Sequence, residues 1–246
     1  MKVVVVIPAR YGSTRFPAKP LAPILGKPMI QWTVVGAQKS KLASQVIVAT
    51  DHLEIVEAVR AVGAQAVMTD SDLPSGSDRI NAAVANIDAD IVVNVQGDEP
   101  LISGELIDRL AQVLIDDVHL EMATLAHPMS SEELQSPNAV KVILNNKDEA
   151  IYFSRFAIPH SRVQPTQSTD IIPLKHVGMY AYRKEFLKSF CQQAPAAIEI
   201  AESLEQLRAL NMGARIKVLR IAEATLGVDT PEDILKVENA IKNQRI

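Results

Sequence analysis

The sequence predicts an α/β protein built on a doubly wound, mostly parallel sheet. Three observations lead to this prediction. Residues 3–7 form a continuous apolar run without alternation, which is typical of a strand buried on both faces. Similar runs return at residues 45–50 and 90–95, and patterns of helical period lie between the runs. Strands that alternate with helices at this spacing indicate βαβ units.

The first half of the chain divides into regularly alternating strands and helices. A long loop rich in Gly, Pro and basic residues is expected over residues 8–26. Asp51 is expected to cap the second helix at its N-terminus, and Gly63 to end that helix. The predicted strands cover residues 2–7, 45–50, 66–68 and 90–95, and the predicted helices cover residues 29–40, 54–62 and 79–89.

The pattern changes after about residue 120, where a smaller mixed-sheet lobe is predicted over approximately residues 121–186. The final helix is expected to begin with Thr230 as N-cap, Pro231 at its first position and Asp233 at its third. The sequence has no internal repeat and no Gly/Ser linker, so residues 1–246 are expected to form a single domain. The remaining predicted elements are strands at 121–126, 139–144, 175–182 and 215–221 and a helix at 198–210.

Composition narrows the functional classes. Of the 246 residues, 48% are apolar and 22% charged, as in ordinary globular proteins. The net charge of −4 argues against general binding to DNA or RNA. The apolar run at the start is too short for a signal peptide or a membrane span. The single cysteine, Cys191, excludes an intramolecular disulfide. We therefore expect a soluble, cytoplasmic protein that binds neither nucleic acid nor membrane.

The loop after the first strand carries three cations, Arg10, Arg15 and Lys19, among small residues such as Ser13 that expose backbone N–H groups. Ligands of open α/β sheets bind beyond the carboxyl ends of the strands. Cations and free amides at that edge favour a polyanion such as a triphosphate. The loop matches neither a Walker A motif nor G-x-G-x-x-G. The alternative is a surface loop with solvated charges.

Two carboxylates are candidate magnesium ligands. Asp98 follows the strand at residues 90–95 and would lie at the same edge as the cationic loop. Mg²⁺ binds through one or two carboxylates together with phosphate oxygens. Asp229 follows the last predicted strand and could be the second ligand. The alternatives are an ordinary turn at Asp98 and a helix cap at Asp229.

Other polar residues have both a structural and a functional interpretation. The turn Ser75-Gly76 leads into a helix with Arg79, and it could offer small polar contacts to a base or only cap the helix. The remaining candidates are Tyr152, Arg155, His176, Tyr180, Glu205 and Gln206, for which a structural or solvated role is the alternative.

Taken together, these segments resemble one family. The loop at residues 7–21 resembles the signature loop of sugar nucleotidyltransferases with the glycosyltransferase-A-like fold. The combination of later motifs resembles the 3-deoxy-manno-octulosonate (Kdo) cytidylyltransferases, and the motifs occur in the family's order across nearly the whole chain. These motifs lie at residues 48–51, 68–69, 75–79, 93–100, 122–125, 137–142, 152–155, 176–183, 203–208 and 227–233.

The resemblance implies a fold, a reaction and a role for each motif residue. The implied fold is that of the nucleotide-diphospho-sugar transferases. The implied reaction is attack of the anomeric hydroxyl of Kdo on the α-phosphate of CTP, giving CMP-Kdo and pyrophosphate for lipopolysaccharide biosynthesis. Arg10, Lys19, Asp98 and Asp229 are the implied catalytic residues. The implied nucleotide-binding residues are Ala9, Arg10, Ser13, Arg15, Lys19, Ser75, Gly76 and Arg79, and the implied sugar-binding residues are Gln96, Tyr152, Arg155, His176, Tyr180, Glu205 and Gln206.

The resemblance also implies a cofactor and a partner. Asp98 and Asp229 match the family's magnesium ligands, so two ions are expected between nucleotide and sugar. One ion would polarise the α-phosphate, and the other would lower the pKa of the sugar hydroxyl. The family pairs through the smaller lobe, so a homodimer is expected.

Some features depart from the family, and rival functions stay open. Ala18 stands where Gly is usual, and the acid at Asp78 is shorter than the usual Glu. The same enzyme class could act on an 8-amino-8-deoxy variant of Kdo or on a sialic acid. A catalytically silent nucleotide-binding module is a second alternative. A glycosyltransferase is a third, but its usual Asp-x-Asp motif is replaced by Gln96-Gly-Asp98.

Overall fold

The computed structural model describes residues 1–12, 16–160, 174–222 and 226–243. Its main sheet has the strand order β11-β7-β10-β6-β1-β4-β5, and every neighbouring pair is parallel except those made by β10. The predicted doubly wound, mostly parallel fold is confirmed. The strands are β1 (Val3–Ala9), β2 (Pro23–Ile24), β3 (Lys27–Pro28), β4 (Ala43–Thr50), β5 (Gln65–Met68), β6 (Ile91–Asn94), β7 (Met122–Pro128), β8 (Lys141–Leu144), β9 (Ala150–Ser154), β10 (Leu174–Arg183) and β11 (Ile216–Arg220).

Helices cover both faces of this sheet, which explains the unbroken apolar run in β1. Val3, Val5 and Ile7 belong to one core cluster, while Val4 and Val6 belong to a second. Successive side chains of a strand point to opposite faces, so both sets must be apolar when both faces are covered. The helices are α1 (Met29–Ala37), α2 (Leu53–Arg60), α3 (Gly76–Val84), α4 (Gly104–Asp116), α5 (Ser131–Gln135), α6 (Lys184–Gln192), α7 (Ala197–Glu202), α8 (Gln206–Asn211) and α9 (Pro231–Asn243).

Two of the sequence predictions about helix boundaries are wrong. The N-cap of α2 is His52, whose Nδ1 accepts from the N–H of Glu54, and not Asp51. The helix predicted at 198–210 is broken into α7 and α8, because Ser203 adopts a left-handed conformation with φ of 52°. Glu205 therefore precedes α8 as its N-cap residue and does not lie inside a helix.

Several elements were not predicted. The amphipathic helix α4 covers the sheet over β7 and β10, and β9, α5 and α6 were also missed. The predicted loop 8–26 is partly ordered, because β1 extends to Ala9, a 3₁₀ turn spans Lys19–Leu21, and β2 begins a short hairpin. Within the predicted lobe, β7 and β10 join the main sheet, and β8 and β9 extend it as an antiparallel pair.

The sheet brings the carboxyl ends of β1, β4 and β6 to one edge. β1 is parallel to both neighbours, with Ala9 opposite Thr50 and Val6 opposite Asn94. The segments that follow, at Arg10, Asp51 and Gln96, therefore leave the sheet side by side. In the described part of the chain, none of the helices is both long and apolar enough to cross a membrane.

Candidate active site

A cleft of about 470 Å³ lies at this edge of the sheet. It is lined by segments that follow β1 and β6, by the first turn of α3 and by the loop before α9. Nine of the predicted site residues line it, namely Ala9, Arg10, Lys19, Ser75, Gly76, Arg79, Gln96, Asp98 and Asp229. Ser13 and Arg15, which were also predicted for this site, lie outside the described residues.

The cleft holds one ammonium group between two carboxylates. Lys19 Nζ donates to Asp98 Oδ2 at 2.6 Å and lies 3.7 Å from Asp229 Oδ1. The Lys19 side chain is 17% exposed, whereas that of Asp229 is 85% exposed. Asp98 and Asp229 thus converge on a single cation, and an anionic ligand in the cleft would meet Lys19 and Arg10.

These two carboxylates also suit a magnesium ion. They already face a common positive charge, and carboxylate oxygens are hard ligands of the kind that Mg²⁺ prefers. No group of three or more His, Cys, Asp or Glu side chains capable of holding a metal occurs in the described ranges. A magnesium ion at Asp98 and Asp229 would therefore complete its coordination with water and with phosphate oxygens of a ligand.

Local backbone features place Lys19 and Asp98. Ala18 takes a left-handed conformation (φ 52°, ψ 26°) and turns the chain into the 3₁₀ turn that carries Lys19. Asp98 follows Gly97, where an added Cβ would lie 3.0 Å from the carbonyl oxygen of Pro8. The glycine thus lets the segment after β6 approach the end of β1 closely. Thr33 in α1 fixes this approach by donating from Oγ1 to the Gly97 carbonyl at 3.2 Å.

The loop before α9 is hydrogen-bonded to the segment that carries Asp98. The N–H of Val228 donates to the carbonyl of Asp98 at 2.9 Å. The start of α9 is capped by Asp233, whose Oδ2 accepts from the N–H of Thr230 and from that of Asp229 at 3.0 and 3.2 Å. The capping carboxylate thus belongs to Asp233. The Asp229 carboxylate instead faces Lys19.

The side of the cleft predicted to take a nucleotide is built around the first turn of α3. Ser75 is the N-cap, and its Oγ accepts from the N–H of Asp78 at 3.2 Å. Arg79 also lines the cleft, but it is 3% exposed and its guanidinium is paired with Asp51 at 3.2 Å. The small residues Ser75 and Gly76 leave room beside this turn for a planar group.

Most of the residues predicted for the sugar lie outside the lining of the cleft. Only Gln96 lines the cleft, and its Nε2 donates to the carbonyl of Gly178 at 3.0 Å. Glu205 accepts from Ser77 Oγ at 2.7 Å and so contacts the first turn of α3. Gln206 is 4% exposed, and its Nε2 has no hydrogen-bond partner among the described residues.

The aromatic members of this set form a chain along β10. The ring of His176 lies 5.0 Å from that of Phe153 and 5.4 Å from that of Tyr180, and His176 Nε2 lies 3.0 Å from Thr124 Oγ1. Burial lowers the pKa of His176 to about 3 from its ordinary 6.5. His176 is therefore neutral at pH 7 and supplies no positive charge for an anionic ligand.

Arg155 and Tyr152 lie outside the cleft lining. The Arg155 guanidinium donates to three backbone carbonyls, those of Glu202, Pro137 and Ser203, at 2.8, 3.1 and 3.3 Å. This arginine joins β9 to the α7–α8 connection. Tyr152 packs against the second core cluster.

The geometry agrees with what comparison with known proteins shows. A family model described as cytidylyltransferase matches residues 4–216. The 3-deoxy-manno-octulosonate cytidylyltransferase of Bdellovibrio bacteriovorus is 62% identical over 245 residues, covering 99% of each chain. The chain belongs to the 3-deoxy-manno-octulosonate cytidylyltransferase family. The enzyme of that name from Escherichia coli is 44% identical over 236 residues, covering 96% of this chain and 94% of its own.

Solved structures support the same assignment to the cytidylyltransferase family. A CMP:2-keto-3-deoxy-manno-octonic acid synthetase, solved in complex with CTP, superposes with a TM-score of 0.93 at 43% identity and 100% coverage of both chains. A cytidylyltransferase from Leptospira borgpetersenii superposes with a TM-score of 0.67 at 16% identity, and this match shows a common fold only.

Sequence reasoning missed some residues of this cytidylyltransferase cleft. Met29, Leu73 and Pro74 contribute apolar lining. Asp51 and Thr69 hold the buried guanidinium of Arg79. Both belong to short motifs that follow strands, which is the signal that could have placed them at this edge.

Proposed function

We propose that this chain transfers CMP from CTP to the anomeric hydroxyl of Kdo and releases pyrophosphate. The observation that carries the proposal is the convergence of Lys19, Asp98 and Asp229 in one cleft with Arg10. A cation set beside two carboxylates is suited to a triphosphate that binds with magnesium. The small side chains in the cleft wall at Ser75 and Gly76 leave space for the cytidine.

In the proposed reaction the anomeric oxygen forms a bond to the α-phosphorus. The bond from that phosphorus to the oxygen bridging the α- and β-phosphates breaks, and the hydroxyl proton passes to water. Arg10 and Lys19 bind the phosphates and offset the charge that develops on the departing pyrophosphate. The walls of the cleft hold nucleotide and sugar in line, which reduces the entropy cost of bringing two substrates together.

Asp98 and Asp229 are the proposed magnesium ligands. When bound, magnesium supplies charge that polarises the α-phosphate and lowers the pKa of the sugar hydroxyl. The two carboxylates would orient the phosphates against Lys19 and Arg10. We place the reaction in the cytoplasm, where CTP is available.

The sugar subsite is proposed beside Gln96, toward β10 and α8. Gln206 supports this placement, because a buried amide nitrogen that finds no partner among the described residues is costly unless a ligand group satisfies it. Glu205, Tyr180 and His176 contribute polar groups and ring faces on the same side. Because His176 is neutral at pH 7, the Kdo carboxylate would depend on other cations, of which Arg155 is the one proposed from the sequence.

We also propose a homodimer formed through the lobe around β9. Phe156 is 83% exposed and Ile151 is 56% exposed, and both lie on or next to that strand. Large apolar side chains exposed close together are typical of a protein interface.

The proposed reaction is tested by measuring pyrophosphate release with CTP, MgCl₂ and Kdo. We expect turnover with Kdo, and little with a sialic acid. Asp98→Asn should lower kcat by about 100-fold or more, in the range seen when an electrostatic group of an active site is removed. Asp148→Asn, which removes a carboxylate paired with Arg220 away from the cleft, is the matched control. Preference for the 8-amino-8-deoxy sugar, or normal turnover of Asp98→Asn at saturating Mg²⁺, would contradict the proposal.

A further inference from the structure

Two charged residues that have no part in the proposed reaction, Asp51 and Arg79, meet in a largely buried ion pair. Asp51 Oδ2 accepts from Arg79 Nη2 at 3.2 Å, and Arg79 Nη1 donates to Thr69 Oγ1 at 2.6 Å. The side chains of Arg79 and Asp51 are only 4% and 12% exposed. The pair therefore joins the first turn of α3 to the ends of β4 and β5.

The second oxygen of the same carboxylate holds the other wall of the cleft. Asp51 Oδ1 accepts from the N–H of Tyr11 at 2.9 Å. The ladder between β1 and β4 ends with Ala9 opposite Thr50. This bond thus continues the connection between the two strands past the end of the ladder. Arg10 lies between Ala9 and Tyr11, so its backbone is held on both sides.

One carboxylate thus holds two segments that line the cleft, the Arg10 loop and the first turn of α3. Arg79 is not a free cation there, because its charge is paired with Asp51 and its Nη1 donates to Thr69. A buried ion pair that also receives a backbone hydrogen bond is well suited to fixing a geometry.

We propose that Asp51 is a positioning residue of the nucleotide subsite, which sets the distance between the Arg10 loop and the first turn of α3. Asp51 contacts no substrate in this proposal and acts through Tyr11 and Arg79. The inference deepens the proposed function, since it assumes that these two walls take the phosphates and the cytidine of CTP.

The test is the affinity for CTP in the presence of MgCl₂ and without sugar, measured by calorimetry. Asp51→Asn keeps an oxygen for the Tyr11 N–H but loses the charge that faces Arg79. We expect the Kd for CTP to rise by about tenfold or more, as for loss of a charge-assisted hydrogen bond, while the KM for the sugar stays within about twofold.

Asp108→Asn is the matched control. Asp108 also anchors a loop through backbone N–H groups, those of Lys41 and Leu42, but at the opposite edge of the sheet. We expect this variant to lose stability and to keep its affinity for CTP within about twofold. An equal loss of CTP affinity in both variants, or none in a folded Asp51→Asn, would overturn the proposal.

A milder variant covers the case in which Asp51→Asn does not fold. Thr69→Val removes one acceptor of Arg79 and leaves the ion pair in place. We expect the Kd for CTP to rise by about threefold, and an unchanged Kd would overturn the proposal. A wild-type protein that binds CTP but makes no CMP-Kdo would contradict the proposed function and leave this positioning result standing.

Discussion

At the scale of single residues, Asp229 shows how a fold assigns a role that its neighbours in the sequence leave open. Beside Thr230 and Pro231 it could cap α9 or bind a metal. In the structure Asp233 accepts the N–H bonds at the start of the helix, while the Asp229 carboxylate faces Lys19. The capping role is therefore carried by Asp233, which leaves the Asp229 carboxylate for the proposed magnesium.

This division predicts opposite effects for two substitutions. Asp229→Asn should lower kcat by about 100-fold or more and leave both stability and CTP affinity close to wild type, because the cap and Asp98 remain. Asp233→Ala should lower the free energy of unfolding by about 1 kcal/mol with little effect on turnover. Urea unfolding measures the stability, calorimetry with CTP measures the affinity, and pyrophosphate release measures kcat. Wild-type turnover of Asp229→Asn would rule out its role as a metal ligand.

A second residue-scale prediction concerns His176, which is partly buried. Its folded pKa is about 3, below the ordinary 6.5, so below pH 6.5 the unfolded chain binds a proton that the folded chain does not. The free energy of unfolding should therefore be highest above pH 6.5 and should fall as the pH decreases from 6.5 toward 3. The slope contributed by His176 is at most about 1.4 kcal/mol per pH unit.

His176→Gln isolates this effect from the other histidines, because the amide keeps a polar group near Thr124. Urea unfolding at pH 7.5 and pH 5 should show a smaller loss of stability on acidification in the variant than in the wild type. An NMR titration of His176 with a midpoint near or above pH 6 would show that this prediction is wrong.

At the scale of elements, the turn that carries Lys19 contains a strained residue. Ala18 has a left-handed backbone (φ 52°), which costs an L-residue about 1–2 kcal/mol. Glycine avoids that cost but loses about 0.5–1 kcal/mol through its greater freedom when unfolded. We therefore expect Ala18→Gly to raise the free energy of unfolding by up to about 1 kcal/mol, with Lys19 kept in place.

Ala22→Gly is the matched control for that substitution. Ala22 follows the same 3₁₀ turn but has an ordinary φ of −57°, so glycine should only destabilise the protein there. In thermal unfolding, the melting temperature should rise for Ala18→Gly and fall for Ala22→Gly. If Ala18→Gly lowers the melting temperature as much as Ala22→Gly does, strain at Ala18 is negligible.

The accuracy of element prediction followed the strength of the local signals. β1 was predicted correctly because its apolar run is incompatible with a solvent-facing strand. The start of α9 was predicted because Thr230, Pro231 and Asp233 are strong local signals. The break at Ser203 was missed, because a left-handed serine has no signature in composition and is held by contacts of the Glu199–Leu204 turn.

At the scale of the whole molecule, the proposed dimer predicts a change of assembly state. Phe156→Asp places a charge at the exposed apolar site beside β9 and should shift the protein from dimer to monomer in light scattering, without loss of secondary structure. Val118→Asp, at an exposed apolar residue beyond α4 that is 57% accessible, is the matched control and should remain dimeric. A wild-type monomer, or a dimeric Phe156→Asp, would contradict this interface.

The candidate site was predicted in part from the sequence. Nine predicted residues line one cleft, because loops after parallel strands must leave the sheet at the same edge. The sugar-side residues were predicted only through family resemblance. Their contacts depend on β10, which enters the sheet antiparallel between β6 and β7. No local pattern of residues reveals such an insertion.

The sequence by itself determined the fold class, the family and the edge of the sheet where the chemistry lies, because these depend on apolar period and on short contiguous motifs. Tertiary structure alone decided which charges meet. It paired Asp51 with Arg79 and Tyr11, set Lys19 between Asp98 and Asp229, and lowered the pKa of His176 by removing its ring from water. Ion pairing and desolvation depend on distances between segments far apart in the chain, and only the folded sheet sets those distances.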